Sequence, residues 1–380
     1  MGLFPNDLIE ILICPACGAK LEHDVFSLER KDGVFFCKKG HWYPIEGGLP
    51  RMLVGQLRGD YSAFVQSYHG RLAAKRLGLH IGSSDRAESV QVQQAFGEKW
   101  TSKDTMGIDD SSPYKAFMRH WVLQKYGWHD ESRFKQAMAD KRLILDAGTG
   151  LGREVINFAR SVGSATVIGI EFSDCAVNAL KNVSSIPNAF IIQGDILAMP
   201  FRENSFDFIF SEGVLHHTPN PREAFHKCCN VLKDGGEIAF YVYRKKGAAR
   251  EFTDDYLRTI MQRLPADKQW ELADRITQLG RALSNLRADV EIPVDIPELD
   301  IGKGRIDVQR FIYWNFLKCF WNDELPFEEN RLVNFDWFVP EHAYRFTEEE
   351  IRDWCSKEGL EIVWFNAQES GFSVRASKRA

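Results

Sequence analysis

Four residues near the amino terminus have the types and spacing of a soft metal site. Cys14-Pro-Ala-Cys17 is followed, after 19 intervening residues, by Cys37-Lys-Lys-Gly-His41, a C-x2-C and C-x3-H pair. Three thiolates and an imidazole suit tetrahedral zinc, and four protein ligands leave no open position, so such an ion would be structural. A second centre follows the apolar run Leu143 to Leu145, where Asp146 precedes Gly148, Gly150 and Gly152. Glycines there let the backbone turn tightly into a helix and let a ligand approach without a Cβ in the way. The spacing is G-x-G-x-G, whereas a dinucleotide fingerprint requires glycine at Arg153. Glu171 closes the next apolar run 25 residues after Asp146, and Asp195 follows the third in Gly-Asp-Ile, with Phe172 and Ile196 beside them. An acid ending the second strand of an open α/β sheet can hold both hydroxyls of a ribose, and Asp195 would face an adenine amino group. Asp146 either touches the ligand or holds the turn through backbone N–H groups. After the fourth run, Ser211 to Pro219 carries Glu212, His216 and His217. Either histidine can accept a proton near neutral pH, or both only shape the loop.

The elements that must position these groups are legible from Arg142 onward. Apolar runs LILDAG, ATVIGIEF, AFIIQGD, FDFIFSEG and GEIAFYVY recur between segments of helical periodicity, which predicts an α/β fold with a mostly parallel sheet and helices on both faces. The alternation stops after Tyr243 and resumes near Thr347, where Thr347 and Glu350 form a capping-box pattern; EIVWF and GFSVRA then finish the sheet. Four parts result: a cysteine module over 1–55, a helical region over 56–140, and a core over 141–380 interrupted by an insertion at 244–345. In the insertion Phe252, Tyr256, Ile260 and Leu264 recur every fourth residue, and Leu272, Ile276, Leu279, Leu283 and Leu286 follow Pro265, predicting two amphipathic helices. Phe311 to Phe338 holds ten aromatic residues in 28 positions.

The chain has 380 residues, 44% hydrophobic and 27% charged, which excludes fibrous and broadly disordered classes. Its net charge of −5 removes the bulk electrostatic argument for nucleic acid. No apolar run is long enough for a membrane span and the start lacks a secretory pattern, so a cytoplasmic, reducing location is expected, with no membrane partner.

DAGTGLG, Glu171, GDILAMPF and FDFIFSEGVLHHTPNP together resemble the successive motifs of class I S-adenosylmethionine (SAM)-dependent methyltransferases of type 11. The likeness is close from Arg142 to Val242 and looser in the last helix and strands. It implies a Rossmann-like seven-stranded sheet, SAM as cofactor, and contacts to it from the glycine turn, Glu171, Phe172, Asp195, Ile196 and Glu212. The chemistry agrees, because SAM carries a sulfonium and an ammonium but no phosphate, so acids beside the turn attract it. The LHHTPNP loop is similar to that of quinone-biosynthesis methyltransferases. In the family, insertions after the fifth strand commonly cover the acceptor. Tyr241, Tyr243, Trp337, His342 and Tyr344 are therefore candidate acceptor contacts, against the alternative that the aromatics only pack the insertion. QQAFGEKW resembles a segment preceding the core in bacterial methyltransferases with an amino-terminal ribbon, and its Trp100 either caps the pocket or packs on the sheet.

The tail HWYPIEGGLPRML resembles the small zinc-ribbon activator subunit of tRNA and protein methyltransferases, while C-x3-H is similar to the ribbon of rRNA guanine methyltransferases. RNA is therefore the serious alternative substrate. Residues 1–55 hold six Lys/Arg against seven Asp/Glu, and 244–345 hold sixteen against eighteen, so neither added part is basic. The expectation is methyl transfer to a small, partly apolar or aromatic metabolite, with a SAM-binding partner subunit lacking turnover as a third reading.

Overall fold

The apolar runs become strands because their alternating and β-branched residues suit a sheet buried on both faces. The computed structural model describes residues 3–77 and 113–379; Trp100 and its QQAFGEKW segment lie outside the described residues. The chain begins with α1 (Asn6–Ile11) and an antiparallel four-stranded sheet, β1 (Leu21–Ser27), β2 (Asp32–Cys37), β3 (Trp42–Glu46) and β4 (Leu49–Pro50). Helix α2 (Ser62–Ala74) packs Phe64 and Leu72 onto Phe26, Val34 and Trp42 of that sheet. Helices α3 (Pro113–Lys125) and α4 (Glu131–Met138) follow, the latter capped by Asp130, whose carboxylate accepts from Arg133 N at 2.9 Å.

The core runs β5 (Leu143–Ala147), α5 (Arg153–Ser161), β6 (Thr166–Glu171), α6 (Ala176–Val183), β7 (Ala189–Gln193), β8 (Phe206–Glu212), α7 (Pro221–Val231) and β9 (Leu232–Arg244). The insertion holds α8 (Ala248–Met261), α9 (Ala266–Asn285), the hairpin β10 (Asp289–Ile292) and β11 (Gly304–Asp307), α10 (Val308–Asn315), α11 (Phe327–Phe338) and β12 (Arg345–Phe346). Helix α12 (Glu348–Lys357), β13 (Leu360–Ala367) and β14 (Gly371–Lys378) complete the chain. The strand order is β13-β14-β9-β8-β5-β6-β7, parallel from β7 to β9. The seven expected strands are joined by a short eighth, β12, paired in parallel with Tyr243 and Arg244. Strand order reverses direction between β5 and β8, and the crevice at the carboxyl ends of such a pair is where ligands bind in open α/β sheets.

Two compact units emerge. The first comprises Met1–Val242 with Glu349–Asn366 and Ser373–Ala380; the second is Tyr243–Glu348 with Ala367–Phe372. The cysteine module therefore shares a unit with the sheet. It lies along the edge strand β7: Arg51 pairs in parallel with Gln193, and Met52 N donates to Gln193 O at 2.7 Å. Leu12 pairs with Phe201, Ile13 N donates to Pro200 O at 2.9 Å, and Arg202 N to Ile11 O at 2.7 Å. An exposed edge strand templates unwanted pairing, and the module covers this one.

Within the second unit the amphipathic reading of α8 is inverted. Phe252, Tyr256 and Ile260 are exposed, whereas Arg250, Asp254, Arg258 and Met261 are buried. The charged face goes inward because every group on it finds a partner. Arg250 pairs with Asp254 at 2.7 Å, Trp337 Nε1 donates to the same carboxylate at 2.7 Å, and Arg258 donates to the carbonyls of Trp337, Pro340 and Glu341. Helix α9 behaves as expected at Ile276, but Leu279 and Leu286 are also exposed.

Candidate functional site

The module gathers the ligand atoms of Cys14, Cys17, Cys37 and His41 within 4.8 Å of one another. Cys17 Sγ lies 3.8 Å from Cys37 Sγ, while His41 Nδ1 is 3.4 Å from Cys14 Sγ and 3.5 Å from Cys37 Sγ. A tetrahedral zinc with ordinary bond lengths spaces its ligand atoms about 3.5 to 3.8 Å apart, so these edges fit the ion. The Tyr43 hydroxyl sits 3.2 Å from Cys14 Sγ, placed to donate to a bound thiolate and fix its orientation.

The glycine turn leaves the carboxyl end of β5 with Gly148, Gly150 and Gly152 all at positive φ, and Gly152 caps α5. A Cβ on Gly148 would stand 2.4 Å from a Val214 methyl carbon, so glycine is required there twice over. Asp146 is buried and accepts from Thr149 Oγ1 at 2.6 Å; burial chiefly pushes its carboxyl up to about 7. In this structure it holds the turn. Glu171, at the end of β6, accepts from Gly150 N at 3.0 Å through one oxygen and from Ser173 N and Oγ at 2.9 and 2.7 Å through the other. Asp195 ends its loop by accepting from Leu197 N at 2.9 Å, with Ile196 buried beside it. Phe172 follows Glu171 at the same strand end. The cation after the turn, Arg153, is spent on Glu154 at 2.8 Å. The turn is thus left with an excess of buried acid, which suits a cationic ligand and repels a phosphate.

Glu212 sits at the end of β8, and the sequence reading missed its partners. Lys125 Nζ donates to Oε1 at 2.5 Å and the Tyr126 hydroxyl to Oε2 at 2.5 Å. The Lys125 ammonium is fully enclosed, 3.3 Å from the Tyr241 ring centre and 3.9 Å from that of Trp121. Burial lowers it to about 8, with Glu212 opposing the shift. Its main chain is tied down as well, since Trp364 Nε1 and Asn366 Nδ2 each donate to Lys125 O at 3.0 Å. The available signal was a lone lysine among Trp121, Tyr126 and Trp128.

His216 and His217 form a single-turn helix at the base of the same loop, with rings 4.3 Å apart, and both are buried. Burial, then His217 and Lys125, hold His216 well below the usual imidazole range. A general base works best with a pKa near the working pH, so this ring is suited to hydrogen bonding as a neutral group. Tyr241 lies 6.0 Å from the His216 ring. In the insertion, Tyr243 packs on Trp337 at 4.6 Å, and Trp337 is buried against Asp254, a structural position. His342 and Tyr344 stack at 5.8 Å, with Tyr344 exposed.

Comparison with known proteins defines the class. Residues 145–240 match the family described as "Methyltransferase domain", and residues 6–48 match "Trm112p-like protein". Sterol 24-C-methyltransferase of Schizosaccharomyces pombe is 24% identical over 272 residues, covering 61% of this chain and 69% of that protein. Demethylmenaquinone methyltransferase of Staphylococcus aureus is 33% identical over 158 residues, 41% of this chain and 61% of that protein. A solved SAM-dependent methyltransferase from Aquifex aeolicus aligns at 15% identity with a TM-score of 0.38, covering 73% of this chain and 97% of its own. Residues 145–240 form a methyltransferase domain, and the protein is a SAM-dependent methyltransferase. It carries a Trm112p-like module in the same polypeptide as its methyltransferase domain.

Proposed function

We propose that this enzyme methylates a small metabolite with a partly apolar or aromatic body. The observation that carries the methyl-transfer part of the reading is the acid-rich glycine turn, whose buried Glu171, with Arg153 paired to Glu154, suits a cationic methyl donor. The sterol and demethylmenaquinone named for its relatives supply the acceptor class. Glu171 and Asp195 are assigned to the ribose and adenine, with Gly148, Gly150, Gly152, Phe172 and Ile196 lining the cofactor and Asp146 holding the turn. Bound SAM would supply an electrophilic methyl group to a nucleophilic atom of the acceptor. The protein's share is to orient the acceptor in line at about 3 to 3.5 Å and exclude water. Glu212, fixed by Lys125 and Tyr126, sets the shape of the loop carrying His216 and His217, one of which is assigned contact with the acceptor. Tyr241 is assigned to its recognition. Cys14, Cys17, Cys37 and His41 are assigned to a structural zinc.

The Trm112p-like match favours one second reading, methylation of RNA, opposed by the acidic balance of residues 1–55. Methyl-labelled SAM incubated with the protein and a fractionated lysate separates the two. Label in the small-molecule pool is expected. Label confined to nucleic acid would replace this reading with the RNA one, and SAM binding without any transfer would leave a partner subunit.

Gly148→Ala provides a sharper test of the turn. With φ at 85° and a Cβ inside the Val214 methyl contact, the variant is expected to bind SAM at least about tenfold more weakly, read by calorimetry, and to lose about 1–3 kcal/mol of stability. Adding Val214→Ala should recover part of both losses. Unchanged SAM affinity in Gly148→Ala would remove the turn from the cofactor site.

A further inference from the structure

The insertion holds a cavity of about 410 Å³ that belongs entirely to the second unit and to none of the groups assigned above. Its size falls within the range of about 300–1,000 Å³ usual for small-molecule sites. Its walls come from the end of β9, the β10–β11 hairpin with its connecting loop, and α10. Four basic residues line it, Arg244, Lys246, Lys303 and Arg305, against two acids, Asp300 and Glu369, although the insertion as a whole has more acids than bases.

The counter-charges are incomplete. Arg244 lies 3.9 Å from Asp300, beyond hydrogen-bond reach, and Arg305 pairs with Asp289 at 2.7 Å with its side chain 73% exposed. Lys303 is exposed, its backbone N–H donating to Asp295 at 2.6 Å. Lys246 is turned inward, donating to the carbonyls of Arg244 at 2.9 Å, Ser370 at 3.3 Å, and Glu369. Those carbonyls offer partial charges, and the formal anion acting on this lysine, Glu251, accepts from its backbone N–H at 2.8 Å while also pairing with Arg345 at 2.7 Å. Burial, followed by Arg250, Lys318 and Arg244, pushes the Lys246 ammonium down to about 6, with Glu251 opposing the shift. The opposite wall is aromatic: Phe311 and Trp314 line the cavity, and the Lys246 ammonium is 5.7 Å from the Trp314 ring centre. At Gly302, which also lines it, a Cβ would meet nothing within 4 Å.

We propose that this cavity binds the anionic group, a carboxylate or phosphate, of a small organic molecule whose apolar body lies against Trp314 and Phe311. Arg244, Lys303 and Arg305 face the anion, while Lys246 pins the Glu369–Ser370 turn behind them. Assigning that molecule to the methyl acceptor rests on the proposed function; binding itself does not.

The probe is 1-naphthyl phosphate, titrated calorimetrically into the full chain without SAM, with 1-naphthol and inorganic phosphate in parallel. One site per chain is expected, with both fragments binding at least about tenfold more weakly than the intact probe. Arg244→Gln should weaken the probe about tenfold by removing charge. Gly302→Trp should weaken it similarly by filling space, and the absence of neighbours at that Cβ leaves the fold intact, as checked by the melting curve. Affinity unchanged in both variants, no binding of the probe, or displacement of the probe by a short RNA at one RNA per site would overturn the proposal. Probe binding together with failure of label transfer would leave this site standing and the acceptor reading fallen.

Discussion

Lys125→Ala is expected to lower the free energy of unfolding by about 2–4 kcal/mol, because it leaves the largely enclosed Glu212 carboxylate, 13% exposed, with one of its two donors gone. The double variant Lys125→Met/Glu212→Gln should be much milder. It removes both charges while keeping volume, and the Tyr126 hydroxyl can still donate to the amide oxygen. Urea titrations of the three proteins measure both numbers. A single variant within about 1 kcal/mol of the parent would mean that water reaches this pair in solution.

The same pair gives a pH dependence whose sign can be worked out. Lys125 titrates at about 8 in the fold and near 10.5 when unfolded, so between those values the unfolded chain binds more protons than the native one. Stability from this group therefore rises with pH across that window, and its cost is fully present below about 8. Tyr126 acts in the opposite direction, since its hydroxyl is raised well above 10 by burial and then by Glu212, and the native state keeps a proton that the unfolded state loses. Its contribution falls as pH climbs past 10, closing the window from above. The stability of the parent relative to Lys125→Met should thus shift in the parent's favour between about pH 7.5 and 9.5. A shift in the other direction would show that Glu212 outweighs burial.

How far these features could be read from sequence depended on whether local pattern and tertiary context agreed. Strands β5 to β9 were visible because a sheet covered on both faces needs unbroken apolar runs, and nothing in the tertiary structure contradicts them. Glu171 and Asp195 were visible because they interrupt such runs at their ends. Helix α8 was visible as a helix and misleading as a surface, since periodicity reports that two faces differ without saying which one is buried. Its inward face is chosen by Trp337 and the carbonyls of Pro340 and Glu341, some 80 residues away. Lys125 was hidden for the same reason: its partners Glu212, Trp364 and Asn366 come from distant strands, and a lysine in a polar-looking helix end ordinarily faces water.

The amino-terminal module offers the second large effect. Cys14→Ser, or exposure to a strong chelator, is expected to unfold residues 6–48, because structural zinc in small modules contributes about 10–16 kcal/mol of apparent binding free energy. The consequence should extend to the proposed methyl-donor site through a continuous set of hydrogen bonds. Arg51 Nη1 donates to Gln193 Oε1 at 2.6 Å, and Gln193 Nε2 donates to Ser173 O at 3.1 Å. Ser173 in turn holds one Glu171 oxygen at 2.7 Å, and the other accepts from Gly150 N at 3.0 Å in the glycine turn. Removing the module also bares the edge of β7. Metal loss should therefore weaken SAM binding about tenfold or more and make the protein prone to aggregate, read by calorimetry and light scattering. Arg51→Ala separates the two routes. It leaves all four proposed metal ligands and most of the edge cover in place, so bound metal should stay at one equivalent while SAM affinity falls. If affinity is instead unchanged with metal retained, the module protects the sheet edge without positioning Glu171, and the loss seen in Cys14→Ser is a loss of fold.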